Sequence, residues 1–405
     1  MSKRATTRVD PRTHQFTQVS DEVKWYDHIF VAPQVSLSVF GIHIVPVQRK
    51  NRALSLMWRS LLTIVVASLL IVFLTENIIA VSWGLNAWRH IKWLTSSATA
   101  LFTFFYIRIR ITKVRQLVDF YTINYNSWRS TEKRSIRLNI SYMIPLLWCV
   151  VLAAGIDFAA YARSDYVEYF LVLKMHRDTP HVEILETVES LVRMTVIHGC
   201  INFVAFLYGT LLGMIIGNIG HLNMWMRSQE VSELEDNAST TSLTQLRNLF
   251  HHQELNLREV DSVFSPVLAI WYLMCIINVI ADIHMSFEGS FPGSHAGRIA
   301  FNLFMDGFPW WAIIWATTGA AEGIQNEYHN FVQQMEQTLL ALGAKNPQAP
   351  VTRPVLSVLV LLQRTSIVFP RITLAGWITV RRRLLLHLIS FFSVYIAILS
   401  MRRKS

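Results

Sequence analysis

Residues 381–401 read RRRLLLHLISFFSVYIAILSM. Three arginines open an uncharged run that reaches Met401. One helix of about 20 apolar residues, at ~1.5 Å rise each, is long enough to cross a bilayer. The run is not evenly apolar. His387, Ser390, Ser393, Ala397 and Ser400 recur at spacings of three and four, so they share one helical face. Leu, Ile and Phe occupy the other faces. A membrane helix with one small, polar stripe either lines water or packs closely against another helix.

The rest of the chain repeats that membrane character. Of 405 residues, 52% are hydrophobic and 16% charged, against about a quarter charged in soluble domains. Thirteen Trp and 23 Phe suit a protein with interfacial aromatics. The net charge of +10 would suggest nucleic acid in a soluble chain. Here the basic residues sit between hydrophobic runs, where they orient helices, and no nucleic-acid partner is expected. Cys149, Cys200 and Cys275 all lie inside apolar segments, which implies no disulfide framework. Nothing in the first fifty residues reads as a cleaved signal peptide.

Taken in order, residues 1–30 are polar. Residues 31–47 are apolar but broken by Pro33, Gly41 and Pro46, and read as an interfacial or re-entrant piece. Spans are expected at about 57–80, 91–111, 140–161, 191–219, 264–285, 299–321 and 381–401. A polar linker is expected at 228–244. Residues 245–260 have helical periodicity and should run into the fifth span. Residues 322–342 read as an amphipathic helix with Phe331, Met335 and Leu339 at four-residue steps, and 355–369 as a short apolar helix. The fold class is therefore all-α, a polytopic membrane protein with seven transmembrane helices. Four parts follow: 1–56, an N-terminal segment; 57–321, the first six spans with their extensions; 322–370, helices outside the bilayer; and 371–405, the last helix and tail.

Positive charge marks the cytoplasmic side. The link between spans two and three carries Arg108, Arg110, Lys113, Arg115, Arg129, Lys133, Arg134 and Arg137. The next long link is acidic, with Asp165, Glu168, Asp178, Glu183, Glu186 and Glu189. Both place the N-terminus in the cytoplasm and the C-terminus outside, against the pull of the basic tail Arg402, Arg403 and Lys404. On that topology the glycosylation patterns at Asn139 and Asn237 lie inside and stay unmodified.

Three stretches resemble the insect gustatory and odorant receptor superfamily, gustatory type: residues 41–46, GIHIVP; 246–273, LRNLFHHQELNLREVDSVFSPVLAIWYL; and 376–401, GWITVRRRLLLHLISFFSVYIAILSM. The family's terminal Thr-Tyr-x5-Gln-Phe signature is partly kept. Tyr395 matches, whereas Val394, Met401 and Arg402 replace Thr, Gln and Phe. The resemblance covers nearly the whole length. It implies a tetrameric, ligand-gated, nonselective cation channel in the plasma membrane, homomeric or mixed with related receptors and opened by a small-molecule tastant. The last helix would line the pore, through Ser390, Ser393, Ala397, Ser400 and Met401. Helices 322–370 would form the anchor between subunits.

Candidate ligand residues lie inside the spans. Asp306 sits near mid-bilayer, where a carboxylate is a functional candidate by default. His198 lies at comparable depth, and the two either pair or face a cavity. Trp310 and Trp311, with Asn202 and Tyr208, could supply aromatic faces and polar groups to a pocket; packing inside the bundle is the alternative for each. No metal-ligand spacing or Gly-rich phosphate loop is present, so neither an enzyme nor a cofactor is expected. A G-protein-coupled receptor would need the opposite orientation and lacks its Asp/Glu-Arg-Tyr and Asn-Pro-x-x-Tyr signatures here. A secondary transporter would show internal symmetry, which the chain does not.

Overall fold

The computed structural model describes residues 31–44, 52–83, 87–127, 182–228, 237–288, 308–345, 356, 359–360, 363 and 371–404. The third expected span and Asp306 lie outside these residues, as does most of the short helix expected at 355–369. Residues 356, 359, 360 and 363 are helical.

Helices dominate. They are α1 Val31–Ser38, α2 Arg52–Ser82, α3 Ala87–Ile109, α4 Ile111–Ser127, α5 Val182–Ser228, α6 Asn237–Glu288, α7 Phe308–Lys345 and α8 Arg382–Lys404. Among the described residues, four stretches are long and apolar enough to cross a membrane: Leu56–Ser82, Thr195–Met224, Phe250–Met285 and Arg382–Arg402. The second expected span forms α3 but falls short of that apolarity among the described residues, because Arg89, Lys92 and Arg108 sit in it.

With 47 and 52 residues, α5 and α6 are roughly 70–78 Å long at 1.5 Å per residue, far beyond a ~30 Å hydrocarbon layer. The C-terminal part of α5 and the N-terminal part of α6 pack with the second half of α7. Phe250 stacks on Phe331 at 4.5 Å and meets Tyr328 edge-on. Asn223 donates to the Glu327 carboxylate at 2.8 Å. Phe331 and Met335 are fully buried, as their spacing requires. The linker expected at 228–244 is shorter than that, since α6 is already helical from Asn237. Pro266 lies inside α6 without ending it.

Residues 31–44 tuck into the bundle. Leu37, Phe40, Ile42 and Ile44 are buried, and Phe40 packs on Phe203 of α5. The chain turns at Gly41, whose φ of +72° is open to glycine. A Cβ there would meet the Thr63 hydroxyl at 2.7 Å.

Before α8 stands a hairpin that the sequence reading lacks. Strands β1 Thr373–Leu374 and β2 Ile378–Thr379 pair antiparallel. Ala375 (φ 51°) and Gly376 (φ 80°) take positive φ in the three-residue turn 375–377, where the Trp377 amide donates to the Leu374 carbonyl at 3.0 Å. Asp261 of α6 holds it by accepting the Thr373 amide at 2.7 Å and hydroxyl at 2.8 Å.

Candidate functional site

Helix α8 touches its own bundle along one stripe. Leu385 and Phe392 are buried, and Leu388, Tyr395, Ile396 and Leu399 pack against the core. The seven-residue repeat 385, 392, 399 explains this face. Trp311 of α7 meets Phe392 edge-on at 6.1 Å, Arg382 pairs with Glu322 at 2.5 Å, and the Tyr395 hydroxyl bonds His284 Nε2 at 2.5 Å.

The opposite side of α8 faces away. His387, Ser390, Ser393 and Ala397 are exposed, Ser400 is half-exposed, and Met401 is 64% exposed. They share that side with Leu386, Val394 and Ile398. Only 17% of this span is buried inside one chain. Each serine hydroxyl donates to the carbonyl one turn back: Ser390 to Leu386, Ser393 to Ile389 and Ser400 to Ile396. The protons are thereby spent within the helix. The oxygen lone pairs remain as acceptors.

A second polar region lies at the end of the bundle shared by the C-terminal ends of α2 and α6 and the N-terminal ends of α3 and α5. Arg193 of α5 bonds Glu76 of α2 and, at 2.8 Å, Glu189 one turn earlier. Its guanidinium also lies over Phe73, 4.9 Å from the ring centre. Lys92 of α3 pairs with Asp282 of α6 at 2.6 Å, the carboxylate fully buried. Asn278 takes a bond from Thr95 at 2.9 Å and gives one to Ser96 at 3.1 Å. His90 and Asn77 bond each other. Paired and hydrogen-bonded, these groups avoid the cost of isolated buried charge.

The sequence candidates divide. His198 and Asn202, one turn apart on α5, are both buried. Trp93 meets the His198 ring edge-on at 6.4 Å. Both polar atoms of the Asn202 amide are buried without a hydrogen-bond partner. Tyr208 lies on a different face of α5, against Phe264 at 5.0 Å, with its hydroxyl also buried and without a hydrogen-bond partner. Trp311 belongs to the α8 contact, and Trp310 is placed in α7 by its backbone. Glu76, Lys92, Arg193 and Asp282 were missed. Each stands in or beside an expected span as a charge within apolar sequence, and that was their available signal.

Among the described residues no group of three His, Cys, Asp or Glu side chains could hold a metal ion. The geometry defines a multi-pass helical membrane protein with one weakly attached terminal helix. The sequence matches no family model and no curated protein. The fold, however, is that of an insect olfactory receptor. The structure of olfactory receptor OR5 from Machilis hrabei is similar with a TM-score of 0.72 at 13% identity, over 93% of this chain and 97% of that one. The same receptor in complex with eugenol gives 0.66 at 14%, over 93% and 98%. The likeness thus extends from end to end and is one of fold.

Proposed function

We propose that this chain is a chemosensory receptor of the gustatory type, working as a ligand-gated, nonselective cation channel in the plasma membrane. Four copies, identical or mixed with related receptors, set their α8 helices around a common axis. The observation that carries this reading is the attitude of α8: held to its bundle by one stripe, it turns Ser390, Ser393 and Ala397 outward. Hydroxyl oxygens whose protons are already bound can replace part of a cation's water shell. Met401, large and exposed, supplies an apolar constriction.

A small-molecule tastant binds within each bundle, where Asn202 offers a buried donor and acceptor that lack partners beside His198 and Trp93. The solved eugenol complex of the similar OR5 structure supports a small organic ligand as the chemical class. The ligand's effect reaches α8 through α3 and α6. Lys92 pairs with Asp282, one turn of α3 after Trp88, which stacks on His284 at 4.0 Å. His284 in turn holds Tyr395.

The test is current recording from cells expressing this chain with a panel of tastants. Ligand-evoked current reversing near zero is expected. Response only through G proteins, with the N-terminus stained in unpermeabilised cells, would replace the channel by a G-protein-coupled receptor. Flux that requires a fixed ion gradient would replace it by a transporter.

A further inference from the structure

Helix α8 is entered through three arginines, Arg381, Arg382 and Arg383. Arg382 pairs with Glu322 of α7 at 2.5 Å. Arg381 and Arg383 are exposed. Among the described residues no carboxylate forms an ion pair with either of them. Residues 371–405 contain no Asp or Glu, so nothing on the hairpin or on α8 itself offsets the two charges.

Helical spacing decides where Arg383 points. Arg383, His387, Ser390, Val394, Ala397 and Met401 follow one another at steps of four and three, so they lie along one line of the helix. All six are exposed. Leu385, Phe392 and Leu399, which hold α8 to its bundle, occupy the other side. Arg382 leaves that line to reach Glu322. Arg383 therefore shares the side of α8 that carries Ser390 and Ala397. A lipid phosphate as its partner would send the same line into acyl chains, with His387 about 6 Å and Ser390 about 10 Å deeper along the axis. Polar side chains in hydrocarbon carry a cost that a watered path removes.

We propose, resting on the channel reading above, that Arg383 of each copy joins a ring of positive charge at the arginine-rich mouth of the conduction path, and that this ring makes the channel pass monovalent cations in preference to divalent ones. Rings of charged side chains set which ions enter a pore. A fixed potential acts on a divalent ion twice as strongly as on a monovalent one, so the factor by which it excludes the ion is squared. A ring potential of about one kT, modest beside the several kT found over protein surfaces, cuts monovalent entry about threefold and divalent entry about sevenfold. Screening over ~8 Å at physiological salt keeps the effect local to the mouth. On the topology expected from the loop charges, this mouth opens to the cytoplasm.

The experiment uses inside-out patches from cells expressing the full chain, opened by whichever tastant evokes current in the panel above. The readout is the outward current carried by Ca²⁺ at the exposed cytoplasmic face, divided by that carried by Na⁺. R383Q should raise this ratio about threefold and R383E about sevenfold, whereas R383K should keep it. R381Q removes an equal charge just before the helix and should change the ratio less. R383C takes its charge after assembly, should the other variants fold poorly. A positively charged methanethiosulfonate should then lower the ratio and a negatively charged one raise it, with Cys200 and Cys275 buried away from both reagents. An unchanged ratio in R383Q with current intact would overturn the ring and leave the channel standing, as would the same effect from reagents of either charge. Equal changes in R381Q and R383Q would overturn Arg383 as the seat of the effect. No current with any tastant would overturn the channel reading and the ring with it.

Discussion

The His284 imidazole is held between Trp88, stacked on it at 4.0 Å with ring planes 8° apart, and the Tyr395 hydroxyl at 2.5 Å. One ring thereby joins α3, α6 and the otherwise thinly attached α8. Tyr395→Phe removes the hydrogen bond and leaves the stack of the Tyr395 ring on Phe391. It should cost about 1 kcal/mol. His284→Ala loses the bond and the Trp88 stack together. A double-mutant cycle by chemical unfolding should return a coupling of about 1 kcal/mol between the two sites. On the channel reading, both variants should also change the fraction of channels open without ligand.

The Lys92–Asp282 pair is a stronger tie, because Asp282 is fully buried and Lys92 is 12% exposed. Removing one partner leaves an uncompensated charge among helices. Lys92→Met or Asp282→Asn should each destabilise by about 3–5 kcal/mol. The double substitution should recover part of that loss, since it removes both charges at once. Thermal melts of the detergent-purified variants measure this. Additive losses would mean that the pair contributes little through mutual attraction.

These residues show where sequence reading stops. Spans at 57–80 and 264–285 were visible because apolar runs of that length have one physical use. The continuous α6, the buried Phe331 and Met335, and the polar stripe of α8 followed from helical spacing. Lys92 and Asp282 were visible as charges, yet their partnership spans 190 positions, and only packed helices set that register. The hairpin at 373–379 was overlooked for a different reason. Two-residue strands carry no periodicity, and their stability comes from Asp261 on another helix. Tyr208, chosen as a pocket residue, stands on another face of α5 against Phe264, with its hydroxyl buried and without a hydrogen-bond partner.

Gly41 ties the N-terminal segment to α2. Its positive φ disfavours any side chain, and a Cβ would come within 3.0 Å of the Thr63 backbone nitrogen and 3.1 Å of the Arg59 carbonyl. Backbone cannot yield as a side-chain tip can. Gly41→Ala should therefore cost about 1–3 kcal/mol through αL strain and the clash. The loss should show as a lower Tm and faster proteolysis ahead of α2. Unchanged stability would mean that the turn readjusts without loss.

His43 makes the same region sensitive to acid. Burial and the charges of Arg59, Arg115 and Arg108 lower its pKa from 6.5 to about 4. Those arginines are the charged groups facing it from α2, α4 and α3, and α1 contributes the neutral Gln34. The unfolded chain takes up the proton near pH 6.5, while the folded one resists until about 4. Stability is therefore full above pH 6.5, declines as pH falls from 6.5 to 4, and levels off below that. His43→Gln should flatten this part of a Tm-against-pH curve.

Ser393 separates the two uses of a small polar stripe. Its hydroxyl donates at 2.9 Å to Ile389 on its own helix, and it is exposed within one chain. Alanine preserves the small size and removes only the oxygen. Stability should then stay within about 0.5 kcal/mol of the original, because no contact between helices of the bundle is lost. If the oxygen faces ions, Ser393→Ala lowers unitary conductance, and Ser393→Cys becomes reactive to water-soluble thiol reagents from the aqueous axis. If the small side chain serves only close approach between helices, alanine conducts like serine and the cysteine stays protected. Single-channel recording of the alanine variant, with thiol modification of the cysteine variant in the open and closed states, distinguishes the two. Ser390, nearly one turn earlier and exposed on the same side, should behave as Ser393 does, whereas Phe392, buried against Trp311, should not.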